Sequence, residues 1–265
     1  MKMDNKVAVL TGAGNGIGEA LAKRIAAAGA RGVLVSDLNE ADAKRVASEI
    51  IAAGGQAFGM AANVSSEAAI RRLVEEAESR FGPVDLFCSN AGIVDEGGAD
   101  APDSKWERSW TINVMAHVFA TRAVLPGMLA RGSGYLLSTC SAAGLLTSPG
   151  AAPYAVTKHA AIALAEWLSI MHGNAGIKVS VICPQAVRTK LLEDSIRSGN
   201  AASDAFAKVG KLLEPDEVAA SVLMGVEKEV FLILPHPEVQ GFVERKAANV
   251  DRWLSGMRNF LTKQG

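Results

Sequence analysis

The chain has 265 residues and two tyrosines, one of which, Tyr154, stands four residues before Lys158 in a stretch from Ala151 to His172 that reads as a helix. Positions four apart share a helix face, so the phenol and the ammonium are brought together. At a separation of about 6 Å and an effective dielectric near ~20, the ammonium favours the phenolate by roughly 3 kcal/mol, about two pK units. A phenol of ordinary pKa near ~10 then becomes a usable proton acceptor at about pH 8. A second constellation opens the chain. Thr11-Gly12-Ala13-Gly14-Asn15-Gly16-Ile17-Gly18 follows an apolar run and begins a helical pattern. Glycines there let the backbone turn tightly and approach a pyrophosphate, whose charge meets free amides and the positive end of the helix dipole. The second apolar run ends at Asp37, 19 residues after Gly18 and followed by Leu38. That spacing suits a carboxylate that binds the ribose hydroxyls of adenosine. Asp37 would accept both hydroxyls of NAD and repel the extra phosphate of NADP. Arg31 and Lys44 are near in sequence, but neither follows Asp37 directly, so NAD is expected over NADP. Helix capping, the other use for a carboxylate here, is better served by Asn39 with Asp42.

These groups need a scaffold, and the pattern supplies one. Short apolar runs at Val7-Leu10, Gly32-Ser36, Gln56-Met60, Val84-Cys88, Gly134-Ser138, Val179-Cys183 and Val230-Leu234 alternate with longer helical patterns. Continuous apolar strands between amphipathic helices predict an α/β fold of the Rossmann type: a doubly wound parallel sheet of about seven strands with helices on both faces. Nothing marks an internal boundary, so residues 1–265 are expected to form one domain. Gly29, Gly54-Gly55 and Gly173 sit where helical patterns stop and are expected to cap helix C-termini in left-handed conformations. Two regions break the rhythm: a polar segment at about 190–213, placed where binding loops of open sheets lie, and a tail at about 238–261. In the tail Val239, Phe242, Val243, Val250, Trp253, Leu254, Met257 and Phe260 recur at helical spacing. They predict one amphipathic helix whose apolar face packs on its own domain or, as the alternative, against another subunit.

Bulk properties narrow the function classes. The chain carries 27 basic and 28 acidic side chains, a net charge of -1, which gives no reason to expect a nucleic-acid partner. Cys88, Cys140 and Cys183 are odd in number and far apart, arguing for a reducing compartment, the cytoplasm, rather than a disulfide framework. The histidines, His117, His159, His172 and His236, lack the close pairing of a metal site on one helix, so no metal is expected. No run of residues reads as a membrane span.

Five motifs in order make the chain resemble the short-chain dehydrogenase/reductase family in its compact form, over residues 6 to about 190. They are the glycine string Thr11–Gly18, Asn90-Ala91-Gly92, Asn113, Ser141 thirteen residues before Tyr154, and Tyr154-x-x-x-Lys158. The resemblance implies that Tyr154 is the general acid or base and that Lys158 lowers its pKa and holds the nicotinamide ribose. It implies that Ser141 donates to the substrate oxygen and that Asn113 holds a water in a proton relay. Asn63 and Val64 would flank adenine. Asn90, Ala91 and Gly92 would shape the adenosine-ribose side of the cleft, and Pro184, Val187 and Thr189 would lie at the carboxamide. Ser138, Thr139 and Ser141 cluster at a strand end, and the spacing to Tyr154 selects Ser141. Adjacent helix positions diverge by about 100°, so His159 is expected to face away from the chemistry. Asn113 could instead only pin a buried helix. Two departures stand out: Gln185 replaces the family's glycine after Pro184, suggesting a role in substrate choice, and the C-terminus lacks the usual Asp-Gly-Gly turn. The expected function is interconversion of a secondary alcohol and a ketone with NAD. A hydrophobic substrate is expected, walled by Ser141–Leu146, Ile93–Glu96, Gln185 and the 190–213 segment, with Phe206, Leu212 and Leu213 adding apolar character. The alternatives are an NADP-dependent ketoreductase and a non-catalytic NAD-binding or interaction protein, with a homodimer or homotetramer as the assembly.

Overall fold

The seven apolar runs pair into one parallel sheet in the computed structural model, which describes residues 1–197 and 210–262. The strands are β1 (Val7–Leu10), β2 (Gly32–Asp37), β3 (Ala57–Ala61), β4 (Leu86–Ser89), β5 (Gly134–Thr139), β6 (Ile177–Ile182) and β7 (Leu232–Ile233), in the order β3-β2-β1-β4-β5-β6-β7. The sheet is buried on both faces, which is why its strands are apolar without alternation. On one face α1 (Gly16–Ala27), α2 (Glu40–Ala52) and a later helix, Pro215–Glu227, bury Leu21, Val46 and Val222 against Leu10, Val35 and Leu137. On the other, α3 (Glu67–Phe81) and two longer helices cover Val9, Leu34, Phe87 and Val181. Strand order reverses beside β1, whose neighbours are β2 and β4, and the loops at the carboxyl ends of the strands open a crevice there.

Residues 103–130 form one helix of 28 residues, long and apolar enough by length and composition to cross a membrane, a length the sequence reading did not expect. Its own packing accounts for part of that character: Ala116, Ala120, Val124 and Met128 are buried in the core on the second face of the sheet. The helix runs as α4 (Asp103–Trp110), a π-helical turn (Thr111–Met115) and α5 (Ala116–Ala130). After a short α6 (Ala143–Leu146) comes α7 (Ala152–His172), as expected from the pattern. Gly29 and Gly54 do end helices with φ of 89° each, but Gly173 is right-handed, and the left-handed residue is Gly176 (φ 85°). A 3-10 turn, Gly173–Ala175, extends the helix and moves the stop signal three residues on.

Beyond β6 lie α8 (Lys190–Arg197), α9 (Pro215–Glu227), α10 (Glu238–Ala248) and α11 (Val250–Thr262). Most of the polar segment after Arg197, with the expected wall residue Phe206, lies outside the described residues. The tail is two helices rather than one. Asn249 breaks it with an extended backbone, φ -160° and ψ 97°, and then accepts the Arg252 N–H on Oδ1 at 2.8 Å, starting the second helix. Val239 is fully buried, and Phe242, Val243 and Trp253 pack with Ala142 and Leu146, so the tail does fold back on its own domain.

Candidate active site

Five of the seven strand ends, β1, β2, β4, β5 and β6, and the loop after β3 converge on a cleft of about 710 Å³. The glycine string turns at its mouth. Gly12 has φ +60°, and a Cβ on it would sit 2.7 Å from the Ala91 Cα. At Gly18 a Cβ would sit 2.4 Å from the Gly12 oxygen, so helix α1 can start against the loop only without one. Asp37 Oδ2 accepts the Gly14 N–H at 3.0 Å and Oδ1 accepts the Asn39 N–H at 3.1 Å. Those bonds use about two of a carboxylate's roughly four acceptor positions, which leaves capacity for a ribose diol. Asn39 caps α2 by accepting from Ala41, as read from the sequence, while its Nδ2 donates to Asp42 at 2.8 Å.

Cations near this end are already engaged. Lys44 pairs with Glu40 at 2.7 Å, and Arg31 lies near Gly82, outside the cleft lining. Arg45, which the sequence reading did not single out, donates to the Gly14 oxygen at 2.7 Å and pairs with Glu19 and Glu49, each at 2.8 Å. It braces the glycine loop from outside. The signal was available, since Arg45 and Glu49 are four apart on α2, but a long-range pairing to Glu19 is not visible in spacing.

One hydrogen-bonded path joins that loop to the chemical centre. Asn90 Nδ2 donates to the Thr11 and Gly12 oxygens at 3.1 and 2.8 Å, and its Oδ1 accepts the Thr139 hydroxyl at 3.0 Å. The Thr139 oxygen in turn accepts Lys158 Nζ at 2.9 Å. Both Asn90 amide protons are therefore spent inside the protein, making it a positioning residue. Lys158 is 3% exposed, and its Nζ lies 5.7 Å from the centre of the Tyr154 ring, as the helical spacing predicted. Ser141, just past β5, accepts the Ala143 N–H at 3.1 Å and hydrogen-bonds the Tyr154 phenol.

The electrostatics reverse the sequence expectation. Burial pushes the Tyr154 phenol up to about 12, against the pull of the Ser141 hydrogen bond, and burial also lowers Lys158. Desolvation is the largest cause, because taking a phenolate out of water into a buried site disfavours its charged form. The second tyrosine, Tyr135, is fully buried and bound to Ser180 at 2.6 Å, away from the cleft. His159 is exposed and bonds the Ala155 oxygen at 2.8 Å, facing away as expected.

Asn113 occupies the π-helical turn. Its Oδ1 accepts the Ile93 N–H at 3.0 Å, and its Nδ2 donates to the Ile93 oxygen at 3.0 Å and Thr157 Oγ1 at 3.1 Å. The pinning role is thus real, and Thr157, missed in the sequence, ties this turn to α7 between Tyr154 and Lys158. Asn63 accepts the Ser65 N–H at 3.0 Å, and with Val64 and Leu38 it lines the cleft along with Asp37. Pro184, Gln185, Val187 and Thr189 line the opposite wall, where the Thr189 methyl would touch a Cβ on Gly16 at 3.1 Å. Gln185 donates its N–H to His236 Nδ1 at 3.1 Å, and His236 Nε2 donates to the Lys211 oxygen at 2.9 Å. The Gln185 Oε1 is buried without a partner.

Of the expected substrate walls, Ile93, Val94, Ser141, Ala142, Ala143 and Leu146 line the cleft. Asp95 does not: it is 2% exposed, ion-paired with Arg108 and bonded by Ser109 at 2.9 Å. Leu213 joins the core under β6 instead. The C-terminal helices, unassigned to the site by the sequence, contribute Phe242, Arg245, Trp253, Met257 and Phe260.

A nicotinamide dinucleotide fits these residues. The glycine turn offers amides where a side chain would collide, Asp37 stands at one end, and Lys158 at the other spends one of its three N–H bonds on Thr139. Comparison with known proteins agrees. The model of the short chain dehydrogenase family matches residues 6–199. The chain is 34% identical to a 1-deoxy-11-beta-hydroxypentalenate dehydrogenase of Streptomyces exfoliatus over 73% of this chain and 71% of that one. It is 33% identical to a cyclohexanol dehydrogenase of Acinetobacter sp. (strain SE19), over 83% and 87%. A short chain dehydrogenase/reductase of Burkholderia phymatum, solved in complex with NAD, superposes with a TM-score of 0.86 at 28% identity, over 95% of this chain and 96% of that one.

Proposed function

The chain belongs to the short chain dehydrogenase family and is an NAD(P)-dependent oxidoreductase acting on CH–OH; from that premise we propose that it interconverts an apolar secondary alcohol and its ketone, with NAD as cofactor. The observation that carries the reading is one cleft lined by Asp37 at one end and by Ser141, Tyr154 and Lys158 at the other. Bound cofactor supplies the hydride acceptor. The chain's own residues handle the proton and the charge. The Tyr154 oxygen takes the proton from the alcohol in oxidation and returns it to the carbonyl in reduction. Ser141 donates a hydrogen bond to the same substrate oxygen as charge develops on it. The Lys158 ammonium stabilises the phenolate formed at Tyr154 and offers its remaining N–H bonds to ribose hydroxyls. Asn113 positions the turn behind this pair through Ile93 and Thr157.

NAD rather than NADP is supported by Asp37 and by the commitment of Lys44 and Arg45 to carboxylates. An apolar substrate is supported by Leu146, Leu191, Leu192, Trp253 and Met257 along the wall. Free, buried Cys88, Cys140 and Cys183 support a cytoplasmic setting. Assembly into a homo-oligomer is supported by Trp167, Ile170 and Met171, exposed together on α7. The test is NADH formation with purified protein, NAD or NADP, and a panel of apolar secondary alcohols at alkaline pH, beside Tyr154→Phe. Turnover with NAD that disappears in the variant is expected. Preference for NADP, or retained turnover in Tyr154→Phe, would overturn the reading.

A further inference from the structure

Three basic side chains line the cleft, Lys158, Lys190 and Arg245, and two of them have evident work. Lys158 is bound to Thr139 beside Tyr154. Lys190 opens α8 directly after Thr189, whose methyl adjoins Gly16, so it stands on the glycine-turn side of the cleft. Arg245 belongs to neither group. It rises from α10 with its guanidinium 4.9 Å from the centre of the Phe242 ring, and Phe242 packs against Trp253 at 6.4 Å. That aromatic pair adjoins Ala142 and Leu146, next to Ser141, so Arg245 stands at the substrate end of the cleft. The arginines nearest to it in function are compensated: Arg188 pairs with Glu214 at 2.7 Å and Arg197 with Asp194 at 3.4 Å. Asp194, the acidic side chain lining this end, is thereby paired with Arg197 and not with Arg245. Among the described residues no carboxylate pairs with Arg245. A second donor without an acceptor stands beside the same ring, the buried Trp253 Nε1.

Arginine and the indole N–H donate and never accept, and a guanidinium beside an aromatic ring keeps its N–H groups as a planar fork. The group complementary to such a fork is planar, anionic and purely accepting. We propose that the substrate is an apolar secondary alcohol carrying a carboxylate, which Arg245 binds at the substrate end of the cleft. The alcohol then lies at Ser141 and Tyr154 while the hydrocarbon body lies along Leu146, Leu191 and Met257. Arg245 is in this account a specificity-determining residue, acting on binding and orientation and not on the proton. The inference rests on the alcohol-dehydrogenase reading of the same cleft.

The experiment uses hydroxy-carboxylates of increasing chain length, each with its secondary alcohol next to the far chain end and each paired with its methyl ester. Steady-state kcat and KM are measured with NAD for the unsubstituted enzyme, Arg245→Gln and Arg245→Lys. The expected result is an acid-to-ester ratio of kcat/KM of about ten or more at the chain length that spans the cleft. The preference should reside in KM, fall to about one in Arg245→Gln, and be partly restored in Arg245→Lys. An ester oxidised as well as its acid at every length, or an unchanged ratio in Arg245→Gln, would overturn the carboxylate assignment while leaving the alcohol-dehydrogenase reading intact. Failure to oxidise acids, esters and plain secondary alcohols alike would sink the underlying reading and this one with it.

Discussion

Replacing Asp37 by serine would remove a carboxylate that has two duties. It holds the Gly14 and Asn39 amides at 3.0 and 3.1 Å, and its remaining acceptor capacity faces the adenosine end of the cleft. Hydrogen bonds to a charged group contribute roughly 1.5–3 kcal/mol each, so losing two to a ribose diol costs NAD about 3 kcal/mol at the low end. At about 1.4 kcal/mol per tenfold, that is a hundredfold or more in affinity. NADP changes in the opposite direction. A carboxylate about 5 Å from a phosphate repels it by roughly 3 kcal/mol per unit charge at an effective dielectric near ~20, and serine abolishes that. The NAD-to-NADP ratio of kcat/KM at saturating alcohol should therefore fall by at least about a hundredfold. Thermal unfolding should show a loss of a few degrees, because both amides lose an acceptor. Asp37→Asn keeps an acceptor oxygen without the charge, and should retain more stability than serine while still relaxing cofactor choice. A folded Asp37→Ser protein whose cofactor ratio moves by less than about tenfold would refute the assignment.

Three further outcomes follow from the hydrogen bonds and the buried groups. With burial holding Tyr154 up near about 12, alcohol oxidation needs the scarce phenolate and should accelerate with rising pH, while ketone reduction uses the abundant phenol; initial rates in both directions check this, and an oxidation rate flat from neutral to alkaline pH would contradict it. Asn90→Ala deletes three side-chain hydrogen bonds at about 1 kcal/mol each, so urea unfolding should report a loss of roughly 3 kcal/mol together with a raised KM for NAD. His117 is pushed down to about 3, first by burial and then by Lys158, so below its ordinary value of about 6.5 the unfolded chain binds a proton that the folded one refuses. Stability should accordingly fall as pH drops from about 6.5 toward 3, by up to about 1.4 kcal/mol per pH unit, and His117→Gln should flatten that slope in unfolding curves at neutral and mildly acidic pH.

Local and periodic information was legible in the sequence. Val7–Leu10 is a strand as read, Asn39 is the cap as read, and Tyr154 and Lys158 do meet on one helix face, with Nζ 5.7 Å from the ring centre. What escaped depends on contacts between distant segments. The pKa of Tyr154 is set by how much protein covers it, a quantity that spacing does not encode, and so its direction was misjudged. Thr157 and Arg45 declare themselves only when the π-helical turn meets α7 and α2 meets the glycine loop. The break at Asn249 is a further case: the apolar period runs on with little interruption, and the turn shows only in the side-chain cap that Asn249 gives to Arg252.

The two C-terminal helices lie beyond residue 199, where the family match ends, yet they furnish Phe242, Arg245, Trp253, Met257 and Phe260 to the cleft. Part of the cleft wall is consequently written in a different stretch of the gene from Ser141, Tyr154 and Lys158. A lineage could recode its final thirty or so codons to accept a new molecule while every residue that manages the cofactor and the proton stayed untouched, and a protein engineer could graft that terminus as a cassette.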